Sequence, residues 1–164
     1  YVSIRHGGAE IGAGNEINGL TLGGVGNGTT IDHIEIFANK DDGIEFFGGT
    51  TNAKHIYITG SRDDSLDWTK GWRGNAQHVI VVQGSDTGDQ GFEMDNNGSA
   101  PDSTPRAQPR IANATVIGNA NTDSLSVTAR VDTNVLPIDS FLFIWDYPSY
   151  TAPWVFDVAF ATRN

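Results

Sequence analysis

Three stretches of the chain crowd carboxylates around apolar residues: KDDGIEFFGG at 40–49, RDDSLDWTKG at 62–71 and GDQGFEMDNN at 88–97. The first carries Asp41, Asp42 and Glu45, the second Asp63, Asp64 and Asp67, and the third Asp89, Glu93 and Asp95. Carboxylates held at strand spacing repel by about 1 kcal/mol or more per pair at reduced dielectric. A hard divalent cation offsets such repulsion, and Ca²⁺ accepts oxygens from carboxylates and carbonyls in flexible turns. The nine acids are therefore candidate Ca²⁺ ligands. Two other chemistries fit the same residues. One is a solvated face whose Asp and Asn side chains make turn hydrogen bonds. The other is a pair of carboxyls acting as acid and base on a sugar. A lyase would add a cationic base to bound Ca²⁺, and Arg62, Lys70 and Arg73 lie near enough in sequence to be considered. Aromatic residues stand beside the acids. Alternation turns Phe46 and Trp68 inward, which leaves Phe47 and Trp72, with Arg73, as the candidates for contacting a ligand such as a glycan.

The acids recur because the elements that carry them recur. HIEIFANKDDGIEFFGG from His33, HIYITGSRDDSLDWTKG from His55 and HVIVVQGSDTGDQGFEMD from His78 start 22 and 23 residues apart. Each unit reads as two short alternating strands joined by a polar turn. The first strand carries Ile34/Ile36, Ile56/Ile58 and Val79/Val81; the second carries Ile44/Phe46, Leu66/Trp68 and Phe92/Met94. Weaker copies flank them, with Val2/Ile4 and Leu20/Leu22 before and Ala114/Val116 and Leu125/Val127 after. The stretch 96–110, rich in Pro, Ser and Asp, reads as an inserted surface loop. Such a short strand–turn–strand–turn period fits one coil of an all-β, right-handed parallel β-helix of about 22-residue coils. Coils then stack about 4.8 Å apart. Glu45, Asp67 and Glu93 become one outward ladder, Asp41 and Asp63 a second with Asp89 close by, and Asp42 and Asp64 align with Gln90. His33, His55 and His78 also align, ahead of the first strand. They are expected to stack at a coil corner, as backbone-bonding residues or as a ladder able to hold a transition metal.

The repeat is expected to occupy residues 1–128. Residues 129–164 form a non-repeating C-terminal segment, of which FLFIWDYPSYTAPWVFDVAF at 141–160 is the most aromatic part. An open solenoid end exposes unpaired strand edges, so this segment is expected to cap the stack or to join it to a neighbour. The chain opens at Tyr1 inside a strand pattern, and further coils or self-assembly are expected at that end. The formal net charge of −10 argues against nucleic acid as a partner, because phosphate recognition needs a basic stripe. No apolar run is long enough to serve as a transmembrane segment. With no cysteine, disulfides and thiol chemistry are excluded. The glycine strings GLTLGGVGNG and FFGGTT lack the strand-to-helix context and Lys-Ser/Thr of a phosphate loop and read as tight corners.

On the strings EINGLTLGGVGNGTTIDHIEIFANKDDGIEFFGGTTNAKHI, DDSLDWTKGWRGNAQ, GFEMDNN and ANATVIGN, residues 1–119 resemble exported bacterial parallel β-helix proteins of the Bacteroidota surface-lipoprotein and type IX secretion cargo kind. The resemblance implies a right-handed parallel β-helix and a secreted or cell-surface location, and it brings no activity with it. Coils that stay alike favour a scaffold or adhesion module with Ca²⁺ on the acidic ladder and a polysaccharide or another surface protein as partner. A polysaccharide lyase or glycoside hydrolase on the same face is the alternative, and a structural subunit of a filament or surface assembly is the third. An enzyme is expected to break the repeat with one irregular, convergent coil.

Overall fold

The computed structural model describes residues 1–84 and 88–118, together with the backbone of strands at 130–131, 141–143 and 155–160. The chain is all-β and winds as a parallel β-helix. Long strands β1 (Val2–Arg5), β3 (Thr30–Phe37), β5 (Asn52–Thr59), β7 (Asn75–Val82) and β9 (Arg110–Ile117) alternate with short strands β2 (Leu20–Gly23), β4 (Ile44–Phe47), β6 (Leu66–Thr69) and β8 (Phe92–Met94). The long strands pair in parallel, in the order β1-β3-β5-β7-β9, and the short ones build a second parallel sheet, β8-β6-β4-β2.

The register is the one the sequence period implies. Val2, Ile34, Ile56, Val79 and Ala114 are successive partners, as are Ile4, Ile36, Ile58, Val81 and Val116. On the other sheet Leu20, Ile44, Leu66 and Phe92 form one row and Leu22, Phe46, Trp68 and Met94 the next. Period-2 alternation sends these rows into the space between the sheets, where Ile36, Ile44, Phe46, Ile58 and Leu66 are fully buried; in the first coil Val2 remains 53% exposed. Each large side chain stabilises the stack by roughly 1.5–3 kcal/mol.

The long strands differ from the expected two-strand coil. His33, His55 and His78 do not precede a strand; they lie inside β3, β5 and β7 with φ of 56°, 52° and 58°. A left-handed residue bends the strand, so each of these long strands consists of two straight segments that meet at the histidine. The bend also restarts the alternation. In β5, Ala53 is buried, Lys54 and His55 are both exposed, and Ile56 is buried again. His is among the residues that tolerate this conformation. His6 sits elsewhere in its coil: its N–H donates to the Phe37 carbonyl, as the Ala38 N–H donates to Thr59.

At the C-terminal end, β12 (Val155–Phe160) runs antiparallel to β9, and β11 (Phe141–Phe143) pairs antiparallel with β12. The short sheet continues through β10 (Arg130–Val131), which pairs in parallel with β8. The expected Leu125/Val127 strand and the side-chain packing of Phe141, Phe143, Trp145, Trp154 and Phe156 lie outside the described residues. The 96–110 loop is anchored by buried Asn96. Its Nδ2 donates to the Pro101 and Ser103 carbonyls, and its Oδ1 accepts the Ala107 N–H.

Candidate metal centre

The acids sit on the outer side of the short sheet and in the turns that lead into it. In-register pairing places Thr21, Glu45, Asp67 and Glu93 in one outward row. The turn before each strand passes very close to the next coil. A Cβ on Gly43 would stand 2.5 Å from the Ser65 carbonyl oxygen, so the DDG turn needs its glycine there. This closeness puts Asp42 over the following turn. Its Oδ1 accepts the Asp64 N–H at 3.0 Å, and Asp64 Oδ1 in turn accepts the Gln90 N–H at 2.7 Å. These two acids therefore close the turn hydrogen bonds of successive coils.

The face is less solvated than an outward ladder suggests. Asp42, Asp64 and Asp67 are 7%, 4% and 6% exposed. Glu45, Glu93, Asp41 and Asp95 are half-buried, and Asp63 and Asp89 are exposed. Ligand atoms of Asp42, Glu45 and Asp67 lie within 4.8 Å of one another, as do those of Asp41, Asp42 and Asp63 and those of Asp63, Asp64 and Asp89. Shared members join the three groups, so seven of the nine expected ligands form one continuous run. Among the described residues, Glu93 and Asp95 belong to no such group of three.

Burial sets the protonation of this run. Loss of hydration pushes the Asp42 carboxyl up to about 8, opposed by the Asp64 N–H and reinforced by the charges of Glu45, Asp41 and Asp63. Desolvation likewise raises Asp64 to about 9, against the Gln90 N–H. It raises Asp67 to about 10, where the hydrogen bond with Glu45 adds to the shift. Glu45, Asp41 and Asp63 move up for the same first reason. Asp67 and Glu45 thus share a proton, with the protonated Asp67 donating. Asn18 Nδ2 donates to Glu45 at 2.5 Å and helps hold its charge. Asp67 Oδ1 is buried and has no hydrogen-bond partner.

The cations adjacent in sequence, Lys40, Arg62, Lys70 and Arg73, do not neutralise the run. Lys40 is engaged by Glu16 at 3.2 Å and Glu10 at 3.4 Å, both from the long first turn. Arg73 reaches Gln108 at 3.0 Å. Arg62 and Lys70 are exposed and have no ion pair among the described residues. Carboxyls crowded away from water must hold protons or a metal. Asp42, Glu45 and Asp67 offer hard oxygens, one of them unpartnered, and suit Ca²⁺.

Of the proposed ligand-contact residues, Trp72 is a correction. It is fully buried, stacks on Phe46 at 3.9 Å and 11°, and donates its Nε1–H to the Thr51 carbonyl at 3.1 Å. It lies beyond the end of β6, where strand alternation no longer applies, and fills the core beside Trp68. Phe47 is half-buried at the end of β4, and Arg73 is exposed. Sequence reasoning missed Asn18, which comes from the long first turn and could be found only through the Thr21–Glu45 register.

The sequence model of the pectate-lyase-like beta helix domain matches residues 1–143, and the chain belongs to that family. The match runs past residue 119, beyond the strings that carry the resemblance to exported surface proteins. Neither the curated proteins nor the solved structures give a significant match.

Proposed function

We propose that this chain is a non-catalytic β-helix module of an exported, surface-facing protein of the Bacteroidota kind, and that its acidic face binds Ca²⁺. The observation that carries this reading is the buried, unpartnered Asp67 Oδ1 beside Glu45 and Asp42. Ca²⁺ would take Asp67, Glu45 and Asp42 oxygens, displace the shared proton and remove the mutual repulsion. The bound ion would lock adjacent coils together and leave the half-buried Phe47 and the exposed Arg73 near the same side as contacts for a polysaccharide or a partner protein.

A polysaccharide lyase or hydrolase is the second reading. The family description and the proton-sharing Glu45–Asp67 pair favour it. Against it, two carboxyls in direct hydrogen bond stand closer than the roughly 5 Å or more that separates an acid from a nucleophile or base in most glycosidases. Nor does an Arg or Lys among the described residues contact Asp42, Glu45 or Asp67 in the way a lyase base requires.

Two assays separate the readings. Calorimetric titration of chelator-treated protein with CaCl₂, in buffers of different ionisation enthalpy, should show binding accompanied by proton release. Incubation with anionic polysaccharides and Ca²⁺ should generate neither unsaturated products nor new reducing ends. Absence of Ca²⁺ binding removes the metal reading, and product formation replaces the scaffold by an enzyme.

A further inference from the structure

The corner opposite in chemistry to the acidic run is a stack of imidazoles. His33 and His55 lie 4.4 Å apart at 26°, and His55 and His78 lie 5.0 Å apart at 8°. Their side chains are open to solvent, at 38% for His33 and 41% for His55. Asp32 Oδ1 sits 2.8 Å from His33 Nδ1 and 2.7 Å from His55 Nδ1. An ionised carboxylate only accepts hydrogen bonds, so both Nδ1 atoms must carry the hydrogen. In the neutral rings the lone pairs are then on Nε2, the nitrogen away from Asp32.

The backbone does not account for histidine here. The next long strand, β9, puts Asn113 at the equivalent position with φ of 54°, and Asn113 Nδ2 lies 3.4 Å from His78 Nδ1. Asn therefore meets the same left-handed requirement, yet three of the chain's four histidines occupy this row. A histidine whose Nδ1–H is held by a carboxylate is the usual arrangement of an imidazole metal ligand, because the carboxylate fixes the tautomer and orients the ring.

We infer that Nε2 of His33 and His55, oriented by Asp32, forms a surface site for a first-row transition-metal ion such as Zn²⁺ or Ni²⁺. Imidazole nitrogen selects these ions over Ca²⁺, so this site and the acidic face take different metals. Two nitrogens on one tetrahedral Zn²⁺ stand about 3.3 Å apart at Zn–N distances of about 2.0–2.1 Å. The two rings are inclined by 26° and both hang from one Asp32 oxygen, and binding requires them to tilt until their Nε2 atoms reach that separation. Asp32 is a positioning residue, and the remaining coordination positions stay open to water or to a donor from another molecule.

The test is titration of the chelator-treated chain with ZnCl₂ and NiCl₂ in a non-coordinating buffer containing excess CaCl₂. One ion should bind per chain. His55→Asn keeps the left-handed corner and should weaken binding at least about tenfold. Asp32→Asn should weaken it by about 10–100-fold, the usual effect of losing an outer-shell carboxylate. His6→Asn should leave it unchanged, because His6 packs on Phe37 away from the stack. A long-range ¹H–¹⁵N spectrum should show Nδ1–H tautomers for His33 and His55 without metal and Nε2 shifts on its addition. Zn²⁺ affinity equal in wild type and His55→Asn overturns the site. So does hydrogen on Nε2 of His33 and His55 in the metal-free protein.

Discussion

Replacing Asp67 by Asn tests the electrostatics of the acidic face directly. In the folded chain Asp67 is held protonated, with its pKa pushed up to about 10 by burial and by Glu45. In the unfolded chain it ionises near its ordinary value of about 3.9. Folding at pH 7 must therefore take up a proton at this site. At about 1.36 kcal/mol per pH unit the penalty is about 4 kcal/mol at most. Asn is neutral at every pH, nearly isosteric, and donates an Nδ2–H to Glu45 where the carboxyl donates its O–H. Asp67→Asn should therefore stabilise the metal-free protein at pH 7, by about 2–4 kcal/mol once sharing of the proton with Glu45 is allowed for. For a domain of this size that raises Tm by roughly 5–15 °C. At pH 4 the folded state is protonated and the unfolded state about half so, and the gain should shrink to about 0.5 kcal/mol. Thermal unfolding of both proteins in chelator at pH 4 and pH 7 reads the difference. A variant less stable than wild type at pH 7, or an equal gain at both pH values, refutes the reasoning.

Other expectations follow from the packing. Trp72→Ala leaves a cavity beside Phe46 and orphans the Thr51 carbonyl, so denaturant unfolding should show a loss of about 3–5 kcal/mol; a loss below about 1 kcal/mol would place Trp72 outside the core. Ile56→Asp puts an unpaired charge at a site 2% exposed in the middle of the stack, and circular dichroism should show no cooperative folding. Deleting residues 141–164 removes β11 and β12 and leaves β9 as an open edge. The shortened protein should gain mass in light scattering through edge pairing, and a monomer of unchanged Tm would mean that the segment neither caps nor assembles.

The solenoid was legible because two periods coincide in the sequence. Ile56/Ile58 and Leu66/Trp68 alternate at period 2, and both pairs have counterparts 22 residues earlier and 23 or 26 residues later, so the register could be read from the pattern alone. The bend at His55 was not legible. It turns two successive residues, Lys54 and His55, outward, and period-2 reading takes such a break as the start of a strand. Trp72 was misplaced because alternation says nothing about a residue beyond a strand end, where the size of the hole decides. The alignment of Asp67 with Glu45 and Glu93 was readable, but its burial was not. That depends on how tightly the turns of neighbouring coils close around it, and on Asn18, which reaches Glu45 from 27 residues away. Lys40 shows the same limit: it is next to Asp41 in sequence and pairs instead with Glu10 and Glu16.

The measurement closest to the central claim is Tm against pH, from about 4 to about 10, in chelator and in CaCl₂. The folded pKa values of Asp42, Asp64 and Asp67 lie above their unfolded ones, at about 8, 9 and 10. The stability they contribute is fully present below about pH 4 and is lost as pH rises through those values. Metal-free protein should therefore melt progressively lower as pH increases. Ca²⁺ binds the ionised carboxylates of the folded state, so the two curves should coincide near pH 4 and diverge above neutrality, with the Ca²⁺ curve higher. Curves that superimpose at every pH, or a metal-free protein that gains stability as pH rises, would contradict a buried carboxyl run that holds either protons or Ca²⁺.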